Sequence, residues 1–180
     1  MDEREPILSV KCSEPEGEVV RAVRPAPISL ESLRHYYEKL KKFDVVFNDH
    51  VQNTPEGFAS IFISWDEDGN ITSNGLLWTV DDVGILYITN IRPGYSATAH
   101  FSFWDRRIRG REELIRKMIA YCFDRYDFHR IETRVALYAT SIMGAVERIG
   151  FKKEGRAREA VRFNGDWFDV NLYSIIEGEV

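Results

Sequence analysis

A single glycine near the middle of this 180-residue chain separates a strand pattern from a helix pattern, and this junction constrains the fold most. Residues 95–104 are rich in aromatic and β-branched side chains, which favours a strand. From Gly110 to about Tyr126 the apolar residues recur at helical spacing, which indicates an amphipathic helix. A strand that passes directly into such a helix is typical of an α/β domain.

The patterns on either side of the junction extend this domain. Before it, we expect a strand at residues 19–23, a helix capped by Ser29 over residues 30–42 and a weaker helix near residues 45–51. An antiparallel meander of about four strands should follow, at residues 58–65, 75–80, 84–91 and 95–104. After the junction helix we expect a strand at 131–137, a helix at 141–149 and strands at 151–163 and 167–176, joined by an Asn164-Gly165 turn. The sequence thus predicts one domain over residues 18–180, preceded by a flexible acidic segment over residues 1–17.

Composition narrows the classes of function. A formal net charge of −5 argues against a nucleic-acid partner, and no apolar run approaches the roughly 18 residues of a membrane span. Cys12 and Cys122 have no metal-ligand spacing, and a disulfide framework normally uses more cysteines, so we predict reduced thiols and no metal. Residues 1–17 are acidic, unlike a signal peptide, and a cytoplasmic location is expected by default.

The junction is also a candidate anion site. Its basic residues outnumber the two carboxylates Glu112 and Glu113; they are Arg106, Arg107, Arg109, Arg111, Arg116 and Lys117. Glycine lets the backbone turn so that successive N–H groups point at one anion, and the helix N-terminus adds unpaired donors and partial positive charge. Arginine adds bidentate contacts to phosphate. This combination suits a pyrophosphate, although a basic loop that only caps its helix is the alternative.

The residues of this segment resemble a known motif. Arg107-Ile108-Arg109-Gly110-Arg111-Glu112 is similar to the pyrophosphate motif R/Q-x-x-G-x-G/A of the GNAT (GCN5-related N-acetyltransferase) superfamily, and departs from it at Glu112. Residues 128–132 resemble the start of the family's next strand, and residues 145–155 its EK-x-GF-x-x-EG signature. Residues 158–174 look like the tail of the branch that acetylates the N-termini of ribosomal proteins. The resemblance covers about residues 99–176, and the N-terminal half matches by element order only.

This resemblance implies an α/β GNAT fold, with a mixed, mostly antiparallel sheet of about seven strands, flanking helices and one splayed parallel strand pair. Acetyl-CoA would be the co-substrate and would bind between the splayed strands at residues 99–104 and 131–137, with its pyrophosphate on the turn. The implied binding residues are Phe103, Arg107, Ile108, Arg109, Gly110, Arg111 and Glu112. We expect the Glu112 carboxylate to point away from the phosphates, because only its backbone N–H must face them.

The resemblance also implies candidate catalytic residues. His100 occupies the position where the ribosomal-protein branch often carries a glutamate base, and an imidazole of ordinary pKa near 6.5 could replace it. The alternative is a histidine that packs on a strand face. Ser141 is a weaker candidate, since Thr140 and Ser141 could equally cap their helix. The family's usual asparagine and tyrosine are replaced by Ala139 and Val146, which have no side-chain proton to donate.

The implied function is direct transfer of the acetyl group of acetyl-CoA to an amine, which could be a protein N-terminus, a lysine or a small molecule. Carboxylates such as Glu132, Asp166 and Asp169 could line the amine side of the site. The alternative is a catalytically degenerate GNAT-fold protein with a binding or structural role. Aromatic residues around Tyr95 could support a homodimer, although core packing is the more common fate of such residues.

Overall fold

The computed structural model describes residues 5–43, 46–49, 53–68, 70–105 and 107–180. The strands are β1 (Leu8–Glu14), β2 (Gly17–Pro25), β3 (Ile63–Trp65), β4 (Ile71–Ser73), β5 (Leu76–Val80), β6 (Gly84–Arg92), β7 (Ser96–Phe103), β8 (Arg130–Ala136), β9 (Lys152–Phe163) and β10 (Asp166–Ile176). The helices are α1 (Leu30–Leu40), α2 (Pro55–Ala59), α3 (Arg111–Tyr126) and α4 (Thr140–Ile149).

One large sheet organises the molecule. Its strand order is β1-β2-β5-β6-β7-β8-β10-β9, and β3 and β4 form a separate hairpin. Neighbouring strands of the large sheet are antiparallel except β7 and β8, which are parallel. The predicted mixed, mostly antiparallel sheet is therefore confirmed, with eight strands in place of about seven. No helix within the described ranges is long and apolar enough to cross a bilayer.

The N-terminal segment departs from the expectation. Residues 8–14 form β1, which pairs with β2 along its whole length, so the prediction of a flexible segment is wrong for these residues. Val10 and Cys12 point into the core and are each only 2% exposed. A period-two pattern was present, but the surrounding glutamates obscured it. The carboxylate of Glu14 is paired with Arg21.

The predicted four-strand meander is also corrected. Residues 55–59 form α2, whose N-cap Thr54 accepts a hydrogen bond from the Gly57 N–H, and Pro55 occupies the first turn. The strand expected at 58–65 is reduced to β3, which pairs with β4, a strand that the sequence did not predict. The meander consists of β5, β6 and β7. The helix expected near 45–51 lies partly outside the described residues, and residues 46–49 are not helical.

Several local predictions are confirmed. Ser29 caps α1, since its side-chain oxygen accepts a hydrogen bond from the Ser32 N–H. In turn, the Ser32 side-chain oxygen accepts one from the Ser29 N–H. α3 and α4 lie within a residue of their expected bounds. Asn164 and Gly165 both have positive φ, at 51° and 89°, as a two-residue turn between β9 and β10 requires. These features depend on residues that are close in sequence.

Two apolar layers hold the sheet. On one face, α3 and α4 pack against β6, β7 and β8 around buried residues such as Leu114, Ile131 and Val146. On the other face, α1 and α2 pack against β5 and β6 around Leu33 and Ile85. Any ligand that passes between β7 and β8 therefore meets α3 and α4 on one side and the α1–α2 layer on the other.

Candidate active site

The parallel strands β7 and β8 separate after a short paired stretch. Their ladder joins Ser96 to Arg130, Ala97 to Ile131 and Thr98 to Glu132, and it ends there although both strands continue. Paired strands lie about 4.8 Å apart, so a wider gap opens beyond Thr98. Main-chain groups that face this gap are no longer joined by the ladder, and an extended ligand can pair with them.

A cleft of about 1330 Å³ surrounds this gap. It extends from the loop after α1 to the hairpin of β9 and β10 and reaches both faces of the sheet. Its walls combine aromatic, aliphatic and small polar side chains, among them Phe47, Ile61, Asn74, Tyr87, Tyr138 and Val161. A mixed lining of this kind is typical of a site for a small-molecule substrate.

Asp49 joins the loop that lines one end of the cleft to the turn between β9 and β10. Its carboxylate accepts hydrogen bonds from the N–H groups of Asn164, at 3.0 Å, and Gly165, at 2.7 Å. The Asp49 N–H donates to the carbonyl of Arg162 at 2.8 Å. The cleft-lining residues before Asp49 are therefore held beside Val161 on β9. More than a hundred residues separate these partners, so the sequence patterns did not indicate the contact.

His100 lies in the wall of the cleft, on β7. Its Nε2 is 2.9 Å from the Thr89 hydroxyl oxygen, and its ring stacks on Tyr87 with centroids 4.5 Å apart and planes 6° apart. Burial lowers the pKa of His100 to about 4 and raises the pKa of Tyr87. The pKa of the imidazole therefore lies below the ordinary value near 6.5, and the ring is neutral at neutral pH. The sequence singled out neither Tyr87 nor Thr89, because only the β6–β7 register brings them to His100.

A bulge in β6 adds polar groups where the gap begins. The register between β6 and β7 shifts between Thr89 and Arg92, and Asn90 has a φ of 50° within this bulge. The Asn90 side-chain amide donates to the Thr98 hydroxyl at 3.3 Å. Bulges commonly re-aim side chains next to functional sites. Here the bulge lies beside the last rung of the β7–β8 ladder.

The backbone of the glycine turn has the expected conformation, but fewer of its N–H groups than expected are free to bind an anion. Gly110 is the N-cap of α3 with φ 81° and ψ 15°, and no side chain caps this helix. However, the Arg109 N–H donates to the Ser13 carbonyl at 2.8 Å, and the Arg107 N–H donates to the Asp105 carboxylate at 2.9 Å. These two amides are already engaged. The N–H groups of the first helical turn have no partner within their helix, so they are the donors left for an anion.

The side chains of the turn are distributed around it. Arg107 pairs with Asp105 at 2.7 Å, and its hydrogen bonds lower the pKa of that carboxyl to about 2. The Glu112 carboxylate is held by Arg148 of α4 at 2.8 Å, which lowers the pKa of Glu112. The Arg111 guanidinium lies 5.9 Å from the Phe103 ring centroid. Ile108 is buried in the core and Arg109 is exposed. The cleft lining reaches Ser102 but none of the seven predicted binding residues.

The start of α4 supports neither the interpretation of Ser141 as a catalytic residue nor that of Thr140 and Ser141 as helix caps. Ser141 is exposed and does not line the cleft. The N-cap of α4 is Ala139, without a side-chain capping bond, so the interpretation of Thr140 and Ser141 as caps is wrong. Ala139 and Val146 do line the cleft and are buried. The sequence did not single out the phenol of Tyr138, which lies in the cleft wall and whose pKa burial raises.

The carboxylates proposed for the amine side do not line the cleft. Glu132 pairs with Arg130 at 2.8 Å, and Asp169 pairs with Arg156 at 3.6 Å. Asp166 is exposed at the start of β10. Among the described residues that line the cleft, Arg134 on β8 is charged, and the sequence did not predict it.

Comparison with known proteins agrees with this geometry. A family model described as an acetyltransferase (GNAT) domain matches residues 80–172, which is more than half of the chain. The chain belongs to the GNAT family of acetyltransferases. This match contains the splayed strands, the glycine turn and α4.

Individual relatives support the same family. "Probable N-acetyltransferase YjcK" of Bacillus subtilis (strain 168) is 32% identical over 108 residues, which are 57% of this chain and 60% of that protein. The chain thus spans less than two thirds of this curated relative. Mycobacterium smegmatis RimJ in complex with CoA-disulfide is 18% identical, with a TM-score of 0.66 over 96% of this chain and 88% of that chain. The ribosomal-protein-S5-alanine acetyltransferase of Vibrio fischeri is also 18% identical, with a TM-score of 0.66 over 96% and 98%. At such identities the two solved structures show the shared fold.

Proposed function

We propose that this protein transfers the acetyl group of acetyl-CoA directly to the nitrogen of an amine, without a covalent enzyme intermediate. The observation that carries the proposal is the separation of β7 from β8 beside a cleft that contains His100. The acceptor could be a protein N-terminus, a lysine or a small amine. A cytoplasmic location and a homodimer stay predictions from the sequence.

The proposed binding mode uses backbone and arginine. The pantetheine arm carries amide groups, and these can pair with the main chain of β7 as an added strand would. Its pyrophosphate would then lie at the first turn of α3, where Gly110 and the following residues offer N–H groups. Arg109 and Arg111 can add positive charge, whereas Asp105 partly offsets the charge of Arg107. Because Arg148 holds the Glu112 carboxylate, that group need not repel the phosphates.

His100 can assist the amine as a neutral imidazole. If Nε2 carries the proton, its N–H donates a hydrogen bond to the Thr89 hydroxyl oxygen, and the Nδ1 lone pair is free to accept a proton from the acceptor nitrogen. A pKa of about 4 makes this imidazole a weak base. It is therefore suited to a nitrogen whose proton becomes acidic as the C–N bond forms, and less suited to deprotonating a free ammonium.

The leaving group makes modest demands on the protein. An ordinary thiol has a pKa of about 8.5, so a CoA thiolate can depart near neutral pH without full protonation. Val146 and Ala139, which replace the family's usual tyrosine and asparagine, are therefore compatible with transfer. With these two residues we expect slower transfer, but the reaction is not prevented.

The same two residues support a second candidate function. Ala139 and Val146 line the cleft and cannot donate a proton from their side chains. A protein that binds CoA through this fold but has lost transfer chemistry would have such a site.

The proposal is tested with the purified chain, acetyl-CoA and a broad panel of amines and peptides. Acetyl-CoA at about 100 times its Kd should raise the free energy of unfolding by about 2.7 kcal/mol, and free thiol should appear when a suitable amine is added. Binding without thiol release across the panel would favour the second candidate. Absence of binding, measured by thermal shift and calorimetry, would contradict both.

A further inference from the structure

His100 and Arg134 occupy matching positions on the two splayed strands. The last rung of the ladder joins Thr98 to Glu132, and each side chain in question lies two residues further along its strand. Partner residues in parallel strands point to the same face, and residues two apart share a face. The register is regular at both positions, since His100 pairs with Tyr87 and Arg134 with Leu172. The two side chains therefore flank the opening of the gap on one face of the sheet.

That face is the one covered by α1 and α2. His100 stacks on Tyr87, which packs against the apolar cluster beneath these helices. The glycine turn instead leads into α3, which packs on the opposite face. A co-substrate anchored at the turn would thus reach the gap from the α3 side. The acceptor would approach from the side of His100 and Arg134.

The charge of Arg134 is not neutralised within the described part of the chain. Arg130, four residues earlier on the same strand, pairs with both Glu132 and Glu154. Arg134 is exposed and has no ion pair among the described residues, and it carries the formal charge of the described cleft lining at neutral pH. A planar guanidinium binds carboxylate or phosphate through two parallel hydrogen bonds.

We propose that the acceptor is an amine that also carries a carboxylate or a phosphate, with its nitrogen at His100 and its anionic group on Arg134. This inference rests on the proposed acetyl transfer and specifies its acceptor. Because paired strands are about 4.8 Å apart and the gap is wider, the two groups of the acceptor should be a few bonds apart. A free amino acid, a phosphorylated amine and a peptide with an acidic first residue share this chemistry.

The test uses matched acceptors that differ in the anionic group. Phosphoethanolamine is compared with ethanolamine, an amino acid with its amide, and a peptide beginning with Asp with one beginning with Asn. In the wild-type protein the anionic member of at least one pair should have a kcat/KM about tenfold higher or more. Which pair shows the effect identifies the source of the anion. Spermidine, which carries several positive charges and no anionic group, is included as a contrasting acceptor.

Variants connect the preference to Arg134. Arg134→Gln should lower kcat/KM for the preferred anionic acceptor about tenfold, mainly through KM, and leave its neutral partner within about twofold. Arg125→Gln, an exposed arginine on α3 outside the cleft, should change neither. Arg134→Glu should reverse the preference within the pairs.

The outcomes separate this inference from the proposed function. Transfer that favours neutral amines or spermidine, or a preference unchanged by Arg134→Gln, overturns the role of Arg134 while acetyl transfer stands. If acetyl-CoA binds but no amine of the panel causes thiol release, the proposed function is overturned and the inference with it.

Discussion

The residues that surround His100 determine its pKa. A histidine in water has a pKa near 6.5, whereas burial against Tyr87 and Thr89 lowers the pKa of this one to about 4. The sequence located it in a strand and beside the expected site. It could not give the shift of the pKa, because Tyr87 and Thr89 reach the ring through the antiparallel register of β6 and β7.

This shift predicts a pH dependence of stability. Between pH 6.5 and 4 the unfolded chain binds a proton at residue 100 that the folded chain does not, so the free energy of unfolding should fall as the pH is lowered. The free energy of unfolding is not reduced by this effect above about pH 6.5, and it is about 3 kcal/mol lower by pH 4. His100→Gln should remove this component. Urea denaturation of both proteins at pH 7, 5.5 and 4 measures it, and parallel curves would contradict the assigned burial.

At the scale of elements, the turn before α3 needs a left-handed backbone conformation at Gly110, and it is also the proposed binding site of the pyrophosphate. Gly110 has a φ of 81°, and a Cβ there would meet only the Cys12 Cα at 3.9 Å, so the left-handed conformation matters more than space. Among other residues, Asn and Asp adopt this conformation most readily.

A matched pair of substitutions separates backbone strain from charge. Gly110→Asn and Gly110→Asp have similar shape and should both fold, at a cost of about 1 kcal/mol in the free energy of unfolding. Gly110→Asn should retain acetyl-CoA binding, whereas Gly110→Asp should lose at least about tenfold in affinity because its carboxylate faces the phosphates. Calorimetric titration with acetyl-CoA decides between them. Equal affinities would place the pyrophosphate elsewhere.

The elements themselves differed in how well the sequence predicted them. α3, β9 and β10 have long patterns and were found within a residue or two. α2 has only five residues, and its apolar Phe58 suited the strand expected there. Its start signal, Thr54 followed by Pro55, was present in the sequence and would have favoured a helix.

On the scale of the whole molecule, β1 connects the chain's beginning to its proposed anion site. Ser13 exchanges two backbone hydrogen bonds with Arg109, at 2.8 and 3.2 Å. Val10 and Cys12 extend the core beneath the turn. The N-terminal strand should therefore support both stability and acetyl-CoA binding.

Adjacent substitutions in β1 test this support. Val10→Asp places a charge at a position that is 2% exposed and should lower the free energy of unfolding by about 3 kcal/mol or more. It should also weaken acetyl-CoA binding, because the strand that fixes Arg109 is displaced. Lys11→Asp lies on the exposed face of the same strand and should change stability by at most about 0.5 kcal/mol. Thermal melts with and without acetyl-CoA measure both effects, and equal melting of the two variants would contradict the role of β1.

The sequence by itself determined the order of most strands and helices, the glycine at the start of α3 and the position of His100 on β7, since these depend on neighbours a few residues away. Only the tertiary structure decided where β7 leaves β8, that Asp49 bonds to the turn between β9 and β10, that burial lowers the pKa of His100 and that Arg134 lies across the gap from it. The physical reason is that strand register, burial and charge pairing join residues far apart in the chain, and local periodicity contains no information about such partners.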